Sequence, residues 1–213
     1  MITFICAKGT SVRCPNKNIK LLQYTLDKVK SFMNIIVITD DKQIENICKQ
    51  NNVKCYIEDK NKQFGELISI YNYLVDTKQL NTITEFIHLQ ITHPLTNIET
   101  IMNVAYTDLT NYDMCTTYTM VSNRSIFLLN EDDTYKVESY ERKGCLCPIT
   151  KMIDGCVYKI TTSFLQEVVK AESFNNHFWN KSKKKFVKNN SDFYLDVDEP
   201  NDLKIFEKYF KTS

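Results

Sequence analysis

The strongest constraint on this chain is an alternation in its first third. Residues 1–7, apolar except for Thr3, together with 34–39 and 53–57, are short runs rich in β-branched residues. Each reads as a strand buried on both faces. Between them the apolar positions shift to helical spacing: Leu21, Leu22, Thr25, Leu26, Val29, Phe32 and Met33 in the first interval, Ile44, Ile47 and Cys48 in the second. Strand and helix alternating at this interval predict right-handed βαβ units, a mostly parallel sheet, and ligands at the carboxyl ends of its strands.

The same reading extends along the chain. Asp40 is expected to cap the helix after the second strand. Phe64, Leu67, Ile68, Tyr71, Leu74 and Val75 form a helical face over 65–78, and 85–90 reads as a central strand. Asn97 would cap a helix through Ile98, Ile101, Met102, Ala105 and Leu109. A strand at 113–119, a hairpin turn at 130–135 and a strand at 154–160 follow. Thr162 or Ser163 would cap the next helix, the basic run 181–188 is expected to be a solvated loop, and Leu203, Phe206 and Phe210 mark a terminal helix.

The totals narrow the function class. A chain of 213 residues suits one domain with a sizeable core. A formal net charge of +1 argues against a protein that coats nucleic acid or anionic membrane, and no apolar run reaches membrane-span length. The eight cysteines follow no secretory leader, and several sit inside strand-like runs. They are expected to be reduced thiols of a cytoplasmic protein. Cys145, Cys147 and Cys156 include no Cys-x-x-Cys pair, and the three histidines are scattered, so the spacing does not ask for zinc.

Two stretches carry chemistry. The loop after the first strand holds Lys8, Gly9, Thr10, Ser11, Arg13 and Lys17 and leads into a helix, so amides, a helix N-terminus and three cations are available to a polyphosphate. It is neither Gly-x-x-x-x-Gly-Lys-[Ser/Thr] nor Gly-x-Gly-x-x-Gly, and an ordinary solvated strand-to-helix turn remains open from chemistry alone. Near the other end, Asp196 and Asp198 are two apart. In an extended strand they point to one face, where two carboxylates repel unless a cation or proton lies between them. The alternative is that Asp198 caps the helix beginning at Pro200 while Asp196 is solvated.

The loop also carries a resemblance. Ala-Lys-Gly-Thr-Ser-Val-Arg-Cys-Pro-Asn-Lys-Asn-Ile-Lys at 7–20 resembles the signature Ala-Arg-x-x-Ser-Lys-x-x-Pro-x-Lys-Asn of the CMP-sialic acid synthetases, the acylneuraminate cytidylyltransferases. Later segments match in order. Ile-Val-Ile-Thr-Asp-Asp at 36–41 is similar to Val-x-Ser-Thr-Asp. The run from Gln90 through Thr92, Pro94 and Leu95 is similar to Leu-Leu-Gln-Pro-Thr-Ser-Pro-Leu-Arg-Thr. Asp-Gly-Cys-Val-Tyr at 154–158 is similar to Asn-Gly-Ala-Ile-Tyr. Asp196 and Asp198 then fall on Ile-Asp-x-Asp-x-x-x-Asp-Leu. The chain departs from the family at Lys8 (Arg there), Val12 (Lys), His93 (Ser) and Thr96 (Arg), and across 57–66.

The resemblance implies an α/β, three-layer nucleotidyltransferase (GT-A/Rossmann-like) fold over residues 1–213, with a mostly parallel sheet and an inserted dimerisation arm at 120–154. It implies a homodimer that uses CTP and magnesium to activate an acidic sugar. Ala7, Lys8, Gly9, Ser11, Arg13 and Lys17 would bind the nucleotide, with Lys8, Lys17 and Asp198 catalytic and Asp196 and Asp198 holding Mg2+. Gln90 and Thr92 would contact the sugar. Arg142, whose planar fork suits a carboxylate, would meet its acid group, ahead of Lys143 and Lys151. The expected reaction is attack of the sugar's anomeric hydroxyl on the α-phosphorus of CTP, releasing pyrophosphate. An octulosonic or other sugar acid, and a catalytically inactive dimeric homologue that binds nucleotide or sugar, are the alternatives.

Overall fold

A computed structural model describes residues 1–9, 11, 13–59, 65–122 and 149–210. The elements run β1 (Ile2–Cys6), α1 (Lys17–Val29), β2 (Asn34–Thr39), α2 (Lys42–Gln50), β3 (Lys54–Ile57), α3 (Glu66–Asp76), β4 (Glu85–Leu89) and α4 (Ile98–Tyr106). They continue as β5 (Met114–Ser122), β6 (Ile149–Thr161), α5 (Thr162–Lys170), α6 (Phe174–Asn176) with a π-helical turn His177–Lys181, β7 (Lys184–Lys188) and α7 (Pro200–Tyr209).

The strands form one sheet in the order β3-β2-β1-β4-β6-β5-β7, mostly parallel, with β6 antiparallel to both of its neighbours. The chain winds outward from β1 through β2 to β3, then returns to place β4 on the other side of β1. That reversal opens a crevice at the carboxyl ends of β1 and β4, where open α/β sheets bind ligands.

Period-two alternation divides the core into two layers. Ile5, Ala7, Ile35, Val37, Ile87, Leu89 and Val157 pack with Leu22 and Leu26 of α1, Ile44 of α2, Ile101 of α4 and Phe206 of α7. Their strand neighbours Phe4, Cys6, Ile36, Ile38, Phe86 and Ile160 pack with Ile70 and Tyr73 of α3, Leu165 of α5 and Phe178 of the π-helical turn. Both faces of the sheet are covered, which is why β1 and β2 read as continuous apolar runs. Phe4 packs edge-on to both Tyr73 and Phe86 at 5.4 Å, a geometry favoured by the ring quadrupoles.

Local details depart from the sequence expectations. Asp41, not Asp40, caps α2, accepting from the amides of Gln43 and Ile44. Thr161 caps α5 in place of Thr162 or Ser163, and Asn97 caps α4 as its type predicts. Helix α1 stops at Val29, leaving Phe32 61% exposed and off the buried face. The basic run is not a loop: Lys184–Lys188 is an edge strand parallel to β5. Asp196 and Asp198 lie outside any strand, in the irregular segment before α7. A capping box closes that helix, with Glu199 at its cap, Asp202 at its third position and Pro200 in its first turn.

β5 and β6 stay paired out to Ser122 and Ile149. The hairpin turn at 130–135, Arg142, Lys143, Cys145 and Cys147 lie outside the described residues. Cys6, Cys14, Cys48, Cys55, Cys115 and Cys156 are free thiols. Among the described residues, no helix is long and apolar enough to cross a membrane.

Candidate functional site

The loop after β1 is held at both ends. Ala7, fully buried, donates its amide to Ile38 O at 2.9 Å. Gly9 donates its own to Asp40 Oδ1 at 2.8 Å, so Asp40 ties the loop to the end of β2. A Cβ at position 9 would overlap the Asp41 side chain, so the close approach here requires glycine. Asn18 Nδ2 donates to Lys8 O at 2.8 Å, and Ser11 Oγ accepts from the Cys14 amide at 3.2 Å. Asn16, in the left-handed region at φ 62°, turns the chain into α1, whose N-terminus no side chain caps. An uncapped first turn keeps amide donors for an anion.

The segment before α7 docks directly on this loop. Lys17, on the first turn of α1 and nearly buried, donates its ammonium to Val197 O at 2.9 Å and Asp198 Oδ1 at 2.6 Å. Arg13 Nη2 reaches Asp198 Oδ2 at 3.0 Å. Burial pushes the Asp198 carboxyl up, but the Lys17 hydrogen bond and the charges of Lys17 and Arg13 outweigh it and hold its pKa below the ordinary value. The Val197 amide donates to Thr92 O at 2.8 Å, joining the segment to the loop after β4. That loop is clamped in turn by Lys28, whose half-buried ammonium donates to Pro94 O and Thr96 O, each at 2.6 Å.

These contacts enclose a cavity of about 460 Å³ at the carboxyl ends of β1 and β4. Of the expected site residues, Lys8, Ser11, Arg13, Lys17, Gln90, Thr92, Asp196 and Asp198 line it. Ala7 and Gly9 sit behind the lining and fix the loop, and Arg142 lies outside the described residues. The two ends of the sequence therefore converge on one pocket.

Asp196 Oδ1 is buried without a hydrogen bond, 3.9 Å from Nε2 of His93. Burial lowers the His93 pKa against the pull of Asp196, and an imidazole at that distance leaves the oxygen unsatisfied. No group of three or more His, Cys, Asp or Glu side chains among the described residues is arranged around a metal. Magnesium is commonly held by only one or two carboxylates together with substrate phosphates, and an orphaned carboxylate oxygen beside Asp198 in a cation-lined pocket fits that donor set.

Among the lining residues given no site role from the sequence are Glu66, Asp154 and Tyr158. Glu66 opens α3, where an acid reads as an ordinary favourable helix start; in the fold its Oε2 accepts from Gln90 Nε2 at 2.8 Å. Asp154 is buried and satisfied by Thr117, the Cys156 amide and Asn189. Tyr158 was visible as the Tyr of the motif at 154–158, but only the sheet shows that it faces the pocket. Gly155 precedes it at φ 64°, and any Cβ there would overlap the Tyr158 hydroxyl.

No curated protein matches the chain. Among solved structures, it is similar to a CMP:2-keto-3-deoxy-manno-octonic acid synthetase complexed with CTP, at 16% identity and TM-score 0.65 over 96% of this chain and 95% of that one. It is also similar to the 4-diphosphocytidyl-2C-methyl-D-erythritol synthase of Anaerococcus prevotii DSM 20548, at 14% identity and TM-score 0.63 over 98% and 96%. The inositol-1-phosphate CTP transferase of T. maritima aligns at 14% identity and TM-score 0.61 over 97% and 93%. At these identities the likeness establishes the fold. A family model described as cytidylyltransferase matches residues 2–144, and the chain belongs to that cytidylyltransferase family.

Proposed function

We propose that this protein transfers CMP from CTP to the anomeric hydroxyl of an acidic sugar, a nonulosonic acid or a related sugar acid, and releases pyrophosphate. The observation that carries the reading is the ion-paired junction of Lys17, Arg13 and Asp198. It brings the cationic loop and the acidic pair together in the lining of one cavity at the sheet's switch point.

Phosphoryl chemistry depends on positioning and charge neutralisation more than on covalent help. Lys8, Arg13, Lys17 and the loop amides would bind the triphosphate oxygens, and the Ser11 hydroxyl would add a donor. Asp196 and Asp198 would hold a magnesium ion, which when bound neutralises phosphate charge and lowers the pKa of the attacking hydroxyl. Arg13 pairs with Asp198, and its exposed guanidinium can turn to a phosphate at little cost. Lys17 stays anchored by Val197 O. Gln90, oriented by Glu66, offers its amide to sugar hydroxyls together with Thr92. Arg142 would meet the sugar carboxylate, and the segment 120–154 would pair two copies into a cytoplasmic homodimer. Nucleic acid and membrane have no part in this reading.

The test is pyrophosphate release with magnesium, each of the four nucleoside triphosphates, and a panel of nonulosonic and octulosonic acids. Turnover with CTP and one sugar acid, abolished in Asp198→Ala, supports the proposal. Tight triphosphate binding with no turnover on any sugar refutes it in favour of an inactive homologue, a reading that the departures at Val12 and Thr96 favour.

A further inference from the structure

Beside the phosphate cavity lies a second one of about 260 Å³ that shares Glu66, Gln90 and Tyr158 with it. Leu67 and Ile68 of α3 line one part of it, and aromatic side chains another: Phe174 and Phe178 stack at 6.0 Å, and Trp179 stands edge-on to Phe178 at 4.9 Å and to Tyr158 at 6.5 Å. Glu66 is its one charged lining residue among those described, and no lysine or arginine joins it there. Both cavities share Glu66, but Lys8, Arg13 and Lys17 line only the neighbour, which leaves this one with aromatic rings, a carboxylate and no cation among the described residues.

One polar atom in this wall lacks a partner. His88 is 3% exposed, its ring stacks on Tyr158 at 6.1 Å, and its Nε2 has no hydrogen bond, lying 3.6 Å from Glu66 Oε2. Glu66 Oε2 already accepts from Gln90, while Oε1 accepts from no described residue. The wall therefore offers a carboxylate oxygen, an unsatisfied imidazole nitrogen and the faces of electron-rich rings. A positively charged N–H donor matches all three: it hydrogen-bonds to carboxylate and imidazole and lies favourably over aromatic rings. A carboxylate or phosphate would meet Glu66 with like charge and, unlike in the neighbouring cavity, no lysine or arginine to offset it.

The geometry points to a protonated amino group on the acceptor sugar, seated in this cavity between Glu66, His88 and the rings of Tyr158 and Trp179. This inference rests on the proposed sugar-acid transfer and refines it: the acceptor is zwitterionic, its acid group directed to the cationic side and its amine to the aromatic side.

Trp179 is the chain's single tryptophan, so its emission reports occupancy of this cavity independently of turnover. A nonulosonic acid with a free amino group, its N-acetyl derivative and its hydroxyl analogue are titrated against the CTP-loaded protein while emission is followed, and pyrophosphate release is measured with each. The amine is expected to bind at least about ten-fold more tightly than either analogue, since a charge-assisted hydrogen bond contributes about 1.5–3 kcal/mol. Glu66→Gln should erase that preference and Glu66→Asp restore part of it. Equal or tighter binding of the N-acetyl derivative, or an emission unchanged by all three compounds, overturns the inference; turnover of the N-acetyl compound would at the same time leave sugar-acid transfer standing. Selective binding of the amine that depends on Glu66, with no turnover of any compound, would uphold the cavity's assignment while removing the proposed reaction.

Discussion

Lys17→Met separates the structural role of the ammonium from its role toward phosphate. The side chain is 7% exposed and makes two hydrogen bonds, to Val197 O at 2.9 Å and to Asp198 Oδ1 at 2.6 Å, while the Asp198 side chain is 32% exposed. A fully exposed ion pair contributes about 0–1 kcal/mol, and breaking a fully buried one costs about 3–5 kcal/mol. This pair lies between those limits, and Arg13 at 3.0 Å keeps Asp198 from being left alone. A loss of about 2–3 kcal/mol follows, which for a chain of this size lowers the melting temperature by about 5–10 °C. Arg13→Gln is the companion: its side chain is 62% exposed, so solvent screening limits the loss to about 1 kcal/mol or less. Thermal melts of both variants, read beside pyrophosphate release, should show Lys17→Met losing stability and turnover, and Arg13→Gln losing turnover alone. A Lys17→Met melt within about 2 °C of wild type would refute the claim that this contact fastens the segment before α7 to the loop after β1.

Asp196→Asn should leave the metal-free protein as stable as wild type or slightly more so, because it removes a charge whose Oδ1 is buried without a partner. Magnesium-dependent pyrophosphate release should fall by two orders of magnitude or more, and a clear loss of stability without magnesium would contradict this. Gly155→Ala forces an unfavourable positive φ and drives a methyl into the Tyr158 hydroxyl, so denaturant melts should show a loss of about 1–3 kcal/mol together with reduced turnover. His88 gives a pH signature: burial, opposed by Glu66, holds its folded pKa below the ordinary 6.5. The unfolded chain then takes up the proton first, so this contribution is complete above about pH 6.5 and declines as pH falls below it. The difference in urea midpoint between wild type and His88→Gln should shift against the wild type between pH 7.5 and pH 5.5, and an unchanged difference would count against it.

The sheet was legible because its strands are covered on both sides. In β2, alternate residues Ile35 and Val37 face one helical layer while Ile36 and Ile38 face the other, which leaves no polar position to blur the pattern. The caps were legible by type but slipped by one residue at Asp41 and Thr161, since neighbouring Asp or Thr side chains compete for a position that only the backbone turn decides. That the cationic loop and the acidic pair share a site was implied by the resemblance; the separate chemical argument for the pair, two acids on one strand face, does not hold in an irregular segment. Glu66 and the cluster of Phe174, Phe178 and Trp179 went unread, and Tyr158 was read only as part of a motif. They come from four separate elements, and the π-helical turn His177–Lys181 sets Phe178 and Trp179 at a spacing that neither helical nor strand periodicity describes.

The Lys17–Asp198 contact spans 181 positions, and that separation governs when the site comes into being during synthesis. A ribosome can have released β1, the whole cationic loop and every strand of the sheet while the acidic wall is still unmade. Nucleotide met by such a nascent chain finds donors for its phosphates but not Asp196 or Asp198. Competence arrives only when the segment ahead of α7 emerges and locks onto a lysine made 181 positions earlier, which ties completion of the pocket to the emergence of that segment.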